Sequence, residues 1–271
     1  MAARRLPPPS LSQPAADERI AYGPGRHQFA DLRLPRGGGP HPCVVVIHGG
    51  YWRKKYNLGY LGHFCAALTA AGVATWSIEY RRVGNPGGGW PGTFLDVAAA
   101  ARHLVRIAPE RAIDPARVIV AGHSAGGHLA LWLAGLGRVP VGSAIAGEPV
   151  PLRGAVSLAG VVDLHEAWRR GLSDGAVAEL LGGSPEEMPE RYAAASPRAL
   201  LPLGLPQVLV HGTEDAAVPY ELSASYVDAA RLAGDPATLI SLPRADHSDV
   251  VEPAAADWPD ILAAILGLAG A

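Results

Sequence analysis

Gly122-His123-Ser124-Ala125-Gly126 follows the apolar run Val118-Ile119-Val120-Ala121 and precedes a helical pattern that reaches Leu136. A G-x-S-x-G in that strand–turn–helix setting lifts a serine oxygen clear of the backbone and exposes it to a substrate. The flanking glycines leave room for the turn, because a Cβ at either place would crowd the strand or the helix. A helix start directly beneath the serine points backbone N–H groups toward developing negative charge. The chemistry implied is nucleophilic attack by Ser124 on a carbonyl carbon.

A serine hydroxyl is a weak nucleophile at neutral pH. It needs a base, and the base needs a third group to hold its tautomer. In a strand–elbow–helix hydrolase the order along the chain is serine, acid, histidine. The acid is assigned to Asp215 in His211-Gly212-Thr213-Glu214-Asp215-Ala216-Ala217-Val218-Pro219, just after a predicted strand, with the adjacent Glu214 as the alternative. The base is assigned to His247, which follows the last predicted strand. Charge that builds on the carbonyl oxygen calls for preorganised N–H donors, and losing one typically costs about 10²–10³ in rate. The glycine turn of His48-Gly49-Gly50-Tyr51-Trp52 follows another predicted strand and can supply one, and the N–H of Ala125 a second.

These motifs resemble the α/β-hydrolase superfamily, in the esterase/lipase group that includes hormone-sensitive-lipase-like enzymes and kynurenine formamidases. The resemblance rests on His-Gly-Gly-Tyr-Trp at 48–52, Gly-His-Ser-Ala-Gly-Gly-His-Leu-Ala at 122–130, His-Gly-Thr-Glu-Asp at 211–215, and His247. It runs from about residue 19 to the end. It implies that the N–H groups of Gly50, Tyr51 and Ala125 form the oxyanion hole, with Gly49 serving the turn. Many hormone-sensitive-lipase-like enzymes carry a third glycine where this chain has Tyr51, and the Tyr51-Trp52 pair is what the formamidase branch shows. Trp52 is accordingly assigned to substrate binding, with Tyr51 beside it as an aromatic wall of the acyl pocket. The alternative is plain packing of both rings under a lid. The segments 77–82 and 89–97 resemble generic bacterial esterases instead, with Glu79 and Arg81 expected as a buried ion pair and Asp96 near its helix start.

Alternating strands and helices must bring these loops together. Short strands are predicted at 19–22, 28–34, 43–47, 73–78, 118–121, 155–158, 207–211 and 238–242, the first two as antiparallel edge strands. Helices are predicted at 58–71, 93–107, 124–136, 221–232 and 258–268. Strands that are apolar throughout, alternating with helices, mean a mostly parallel sheet covered on both faces. Right-handed crossovers then place the strand C-terminal ends, and every residue assigned above, at one edge. Residues 1–18 read as a flexible arm and 19–271 as one α/β-hydrolase domain. The alternation lapses at about 160–202, which reads as a small helical lid insertion.

Composition narrows the function classes. The chain has 271 residues, 49% hydrophobic, with net charge −2, which offers a sizeable core and no basic surplus for nucleic acid. No run approaches the roughly 18 apolar residues of a membrane span, and no signal-peptide run follows Arg4-Arg5, so a cytoplasmic protein is expected. Cys43 and Cys65 read as buried thiols. His123 and His128 straddle the serine, and His48 and His211 are expected to bond local backbone, so no metal or other cofactor is assigned. The expected partner is a small ester or activated aryl amide; nucleic acid and membrane are not expected, and a homodimer is left open. The reading is a serine esterase or arylformamidase-like hydrolase working through an acyl-enzyme. A peptidase-like hydrolase and a non-catalytic binder of the same fold are the alternatives.

Overall fold

The computed structural model describes residues 13–271. Chain order runs β1 (Glu18–Ala21), β2 (Phe29–Arg33), β3 (His41–Ile47), α1 (Gly62–Ala70), β4 (Ala74–Ile78), α2 (Gly92–Ile107), β5 (Ile113–His123), α3 (Ala125–Ala134), β6 (Ala155–Leu158), α4 (Leu164–Arg169), α5 (Ala176–Leu181), α6 (Pro189–Ala195), β7 (Gln207–Gly212), α7 (Tyr220–Leu232), β8 (Ala237–Leu242) and α8 (Trp258–Ala269). Among the described residues the strands form one sheet in the order β1-β2-β4-β3-β5-β6-β7-β8. β2 is antiparallel to β1 and β4, and every other pairing is parallel. Of the two strands expected at the edge, β1 lies there and β2 lies one place inside it.

The apolar strand runs divide by residue parity, as side chains that alternate across a sheet must. Cys43, Val45 and Ile47 face one core, which they share with Val118 and Val120, with Phe94 and Val97 of α2, and with Leu129 and Trp132 of α3. Val44 and Val46 face the other, with Ile119 and Ala121, with Phe64, Cys65 and Leu68 of α1, and with Ile261 and Ile265 of α8. Each fully buried side chain of this kind contributes roughly 1.5–3 kcal/mol, so both faces hold the central strands rigidly. Helix α8 presents Ile261, Ile265 and Ala269 inward at a spacing of four residues and ends on Gly270, whose positive φ of 67° caps it. Among the described residues no helix is long and apolar enough to cross a membrane. Both cysteines are free and buried.

One expectation needs adjustment at the periphery. Of the arm expected at 1–18, residues 1–12 lie outside the described residues, and 13–18 are tied to the sheet. The Asp17 N–H donates to the Leu32 carbonyl (2.9 Å), Arg33 Nη2 donates to the Pro14 carbonyl (2.8 Å), and Glu18 opens β1. The proline- and alanine-rich composition suggested mobility, but the outer strands leave backbone groups that this segment satisfies. The lapse at 160–202 is filled by α4, α5 and α6. Their inner residues, among them Leu164 of α4, Leu180 of α5 and Tyr192 of α6, join the same core as Phe94 and Trp132.

β3, β5, β7 and β8 end at one edge of the sheet. His48, Ser124, Asp215 and His247 all follow those ends, where α/β sheets carry their sites.

Candidate active site

Ser124 occupies the turn between β5 and α3 with φ 57° and ψ −120°, a conformation that a residue with a Cβ adopts only when its surroundings force it. Its N–H donates to the Leu158 carbonyl (2.8 Å), and its carbonyl accepts from the His128 N–H (3.1 Å). The glycines serve as expected. A Cβ on Gly122 would stand 2.0 Å from the Gly126 carbonyl oxygen, and one on Gly126 would stand 2.0 Å from that of Ile47. These are backbone atoms of packed elements and cannot move aside.

The turn after β3 lies against this elbow. A Cβ on Gly49 would meet the His123 carbonyl oxygen at 2.6 Å and the Ser124 Cβ at 2.9 Å. Gly50, Tyr51 and Trp52 all take positive φ, at 108°, 47° and 57°. The N–H groups of Gly50, Tyr51 and Ala125 donate to no other group among the described residues. Their donor capacity is unused among the described residues, and Ala125 itself is fully buried.

The carboxylate and imidazole expected to act as acid and base meet directly. His247 Nδ1 lies 2.7 Å from Asp215 Oδ2, with the Asp215 side chain fully buried and the His247 ring 17% exposed. Asp215 Oδ1 accepts the N–H groups of Ala217 (2.8 Å) and Val218 (2.9 Å), and His211 Nε2 reaches Oδ2 at 3.1 Å. Burial alone would raise the Asp215 carboxyl. The hydrogen bonds from His211 and His247, the His247 charge and the Val218 N–H together outweigh it and hold the group below the ordinary carboxylate range. Asp215 is thus a fixed anion that orients the Nδ1–H of His247 and leaves Nε2 free. Glu214, the alternative acid, is exposed and makes no side-chain hydrogen bond among the described residues.

His247 stands over the elbow. Its ring centroid is 4.7 Å from that of His123, the residue just before the nucleophile, and its carbonyl accepts from His123 Nε2 (2.9 Å). No hydrogen bond joins Ser124 Oγ to His247 among the described residues. In serine hydrolases this contact is often long before substrate arrives and tightens in the complex.

Trp52 is the correction. It was assigned to substrate binding, yet it is completely buried in the core shared with α3. Its indole N–H donates to His128 Nδ1 (3.1 Å), and its ring meets that imidazole edge-on at 5.2 Å. An indole N–H inside a core must find an acceptor, and the positive φ at Trp52 goes with a ring turned under the loop. His128 Nε2 in turn donates to the Ala195 carbonyl on α6 (2.9 Å), and burial holds its imidazole down to about 4, so it stays neutral. Tyr51 is half-buried. Its hydroxyl donates to the Ala217 carbonyl (2.6 Å), which straps the oxyanion turn to the acid loop.

Residues given no catalytic part in the sequence surround these. His48 reaches the Gly49 carbonyl through Nδ1 (2.8 Å), as expected of local bonding, and the Glu79 carboxylate through Nε2 (3.0 Å). Glu79 pairs with Arg82 (3.2 Å), while Arg81 pairs with Asp96 (2.7 Å), so the expected Glu79–Arg81 pair is replaced by two others. His211 bonds the Val218 carbonyl (2.9 Å) and also supports the acid. His123 and Tyr60 carry contacts for which local sequence offers no signal beyond the histidine inside the serine motif. Arg53, just after the oxyanion turn, grips Glu179 of α5 through Nε and Nη2 (2.7 and 3.0 Å). Among the described residues no three His, Cys, Asp or Glu side chains stand together as a metal-ligand set.

The model of the BD-FAE family matches residues 30–229. The chain belongs to the BD-FAE family. Among curated proteins it is 27% identical to a probable isoprenylcysteine alpha-carbonyl methylesterase of Oryza sativa subsp. japonica, over 85% of this chain and 58% of that protein. It is 28% identical to the esterase LipC of Mycobacterium tuberculosis, over 84% of this chain and 59% of that one. The chain thus spans somewhat over half the length of these relatives. Among solved structures, a truncated carbohydrate esterase from gut microbiota superposes with a TM-score of 0.79 at 23% identity, covering 93% of this chain and 95% of that one. The native Est2 esterase of Thermogutta terrifontis superposes with a TM-score of 0.72 at 25% identity, covering 98% and 93%. The fold is that of an α/β-hydrolase.

Proposed function

We propose that this chain is a serine carboxylic ester hydrolase, acting through an acyl-enzyme. The observation that carries the proposal is the 2.7 Å contact of His247 with the buried Asp215 carboxylate, with the His247 ring 4.7 Å from that of His123, the residue before Ser124. His247 Nε2 takes the Ser124 proton as Oγ attacks the ester carbonyl. Asp215 stabilises the imidazolium that forms. The N–H groups of Gly50, Tyr51 and Ala125 receive the oxyanion as the tetrahedral centre develops. His247 then protonates the departing alcohol. Water, activated by the same imidazole, releases the acid and restores the serine.

Curated relatives named as a methylesterase and an esterase support an ester with a small leaving group. The formamide reading of the Tyr51-Trp52 pair rested on both rings lining the acyl pocket. With Trp52 in the core and the Tyr51 hydroxyl engaged, a short ester is the substrate class these residues favour. N-formylkynurenine is the comparison to run.

The test is labelling with a fluorophosphonate and hydrolysis of short nitrophenyl esters. Wild-type protein should label at Ser124 and turn over acetate and butyrate esters, whereas Ser124→Ala should do neither while staying folded. Folded wild type that neither labels nor hydrolyses overturns the proposal. A formamide rate well above every ester rate would restore the aryl amide as substrate.

A further inference from the structure

The base and the oxyanion turn are connected by a line of hydrogen bonds that the mechanism above does not use. The Gly49 N–H donates to Tyr60 Oη (2.7 Å), Tyr60 Oη lies 2.8 Å from His123 Nδ1, and His123 Nε2 lies 2.9 Å from the His247 carbonyl oxygen. The end groups fix the direction of every bond. A carbonyl can only accept, so the proton of His123 sits on Nε2. Nδ1 is then the acceptor and the Tyr60 hydroxyl the donor. The phenol oxygen keeps a lone pair for the Gly49 N–H.

Each partner is kept in the protonation state that this direction requires. His123 is buried, which with the neighbouring His247 holds its imidazole down to about 3 and therefore neutral. Burial pushes the Tyr60 phenol up, so its proton remains in place. The connected residues are otherwise remote in the chain, with separations of 11, 63 and 124 positions. The line therefore joins three parts of the site: the turn bearing Gly50 and Tyr51, the strand end bearing Ser124, and the loop bearing His247.

We propose that Tyr60 and His123 are positioning residues for the reaction: their hydrogen bonds set the His247 loop and the oxyanion turn relative to Ser124 as one unit. The inference rests on the esterase reading. It asks for more than packing, because the His247 main chain is held through a specific donor at His123 Nε2. A shift of about 1 Å in a catalytic group can cost about 10²-fold in rate, so loss of the line should appear in kcat.

The glutamine and asparagine variants of His123 separate direction from bulk. A glutamine side chain can carry its amide nitrogen to the place of Nε2 and still donate to the His247 carbonyl. Asparagine reaches only as far as Nδ1. The experiment compares wild type, Tyr60→Phe, His123→Gln and His123→Asn with nitrophenyl acetate, with kcat and KM referred to the folded fraction by circular dichroism. Tyr60→Phe should lower kcat about 10–100-fold with KM within about threefold, as expected for lost alignment. His123→Asn should fall at least as far, and His123→Gln should recover about tenfold over asparagine. Tyr60→Phe within twofold of wild type, or glutamine no better than asparagine, overturns the inference. If Tyr60→Phe fails to fold, the glutamine–asparagine pair alone decides. Wild type without turnover or phosphonate labelling removes the esterase reading and this inference with it. Active wild type with indifferent variants removes only the inference.

Discussion

Ser124, the proposed nucleophile, and the Asp215–His247 pair proposed to serve it are held in place by different physics. Around Ser124 the constraint is steric: Gly122 and Gly126 bring backbone so close that a methyl group would sit 2.0 Å from a carbonyl oxygen. Around Asp215 and His247 the constraint is polar: Oδ1 and Oδ2 of one buried carboxylate gather two imidazoles and two backbone N–H groups. The first sits between central strands and cannot drift. The second sits on loops beyond β7 and β8 at the sheet margin, where directional bonds replace close packing. The contrast implies that changes at the elbow glycines should act mainly on folding, and changes at the carboxylate mainly on rate.

The largest effect expected is from Gly126→Ala. The new methyl meets packed backbone of β3, so we expect a loss of more than about 4 kcal/mol, in the range reserved for severe overpacking. Urea unfolding or the yield of soluble protein measures it; a Tm within a few degrees of wild type would break the steric half of the contrast.

Next is Asp215→Asn, expected to cut kcat about 10⁴-fold, as amide replacement of the carboxylate does in serine–histidine–aspartate triads, with secondary structure retained. Glu214→Gln, changing an exposed neighbour, should leave kcat within about twofold. Steady-state kinetics on both variants decides the acid, and the reverse pattern would reassign it to Glu214.

The pH dependence of stability probes the border of the two regions. His123 and His128 are buried neutral, with their imidazoles held down to about 3 and about 4 from 6.5. Between those values and 6.5 the unfolded chain binds more protons than the native one. Stability therefore rises with pH through that window and is lost as pH falls below 6.5. Asp215, held low, adds its own loss at still lower pH, below the ordinary carboxyl value of 3.8. Thermal unfolding from pH 7 to pH 4 should show a steady fall in Tm, with a shallower slope in His128→Gln; identical slopes would remove His128 from the account.

The smallest effect sharpens the steric argument by contrast. Gly267 lies on the exposed side of α8 with nothing within 4 Å of an added Cβ and no positive φ. Gly267→Ala should stabilise the protein by about 0.5–1 kcal/mol, the helix-propensity gain for an unobstructed site. Calorimetry would show this as a Tm rise of a few degrees.

Much of the site was legible in order and type. The alternation of apolar strands with helices implied a covered parallel sheet, and the strand ends at 47, 123, 212 and 242 fell close to their expected places. Of the two adjacent carboxylates, the one at 215 is buried and the one at 214 is exposed. Trp52 was not legible. An aromatic beside an oxyanion turn reads equally as pocket wall or core, and what turned it inward is an acceptor on His128, 76 residues away. The same holds for the Tyr51 hydroxyl, whose partner is 166 residues distant.

What the amino-acid order determined by itself is local: which segments extend, which coil, and where a glycine is needed so that two backbones can touch. Those depend on neighbours within a few positions, and their periods can be read directly. Which polar atom answers which was decided only when the chain had folded. A buried donor takes whatever acceptor the packing brings within about 3 Å, and for His123, Trp52 and Tyr51 that acceptor comes from a distant element.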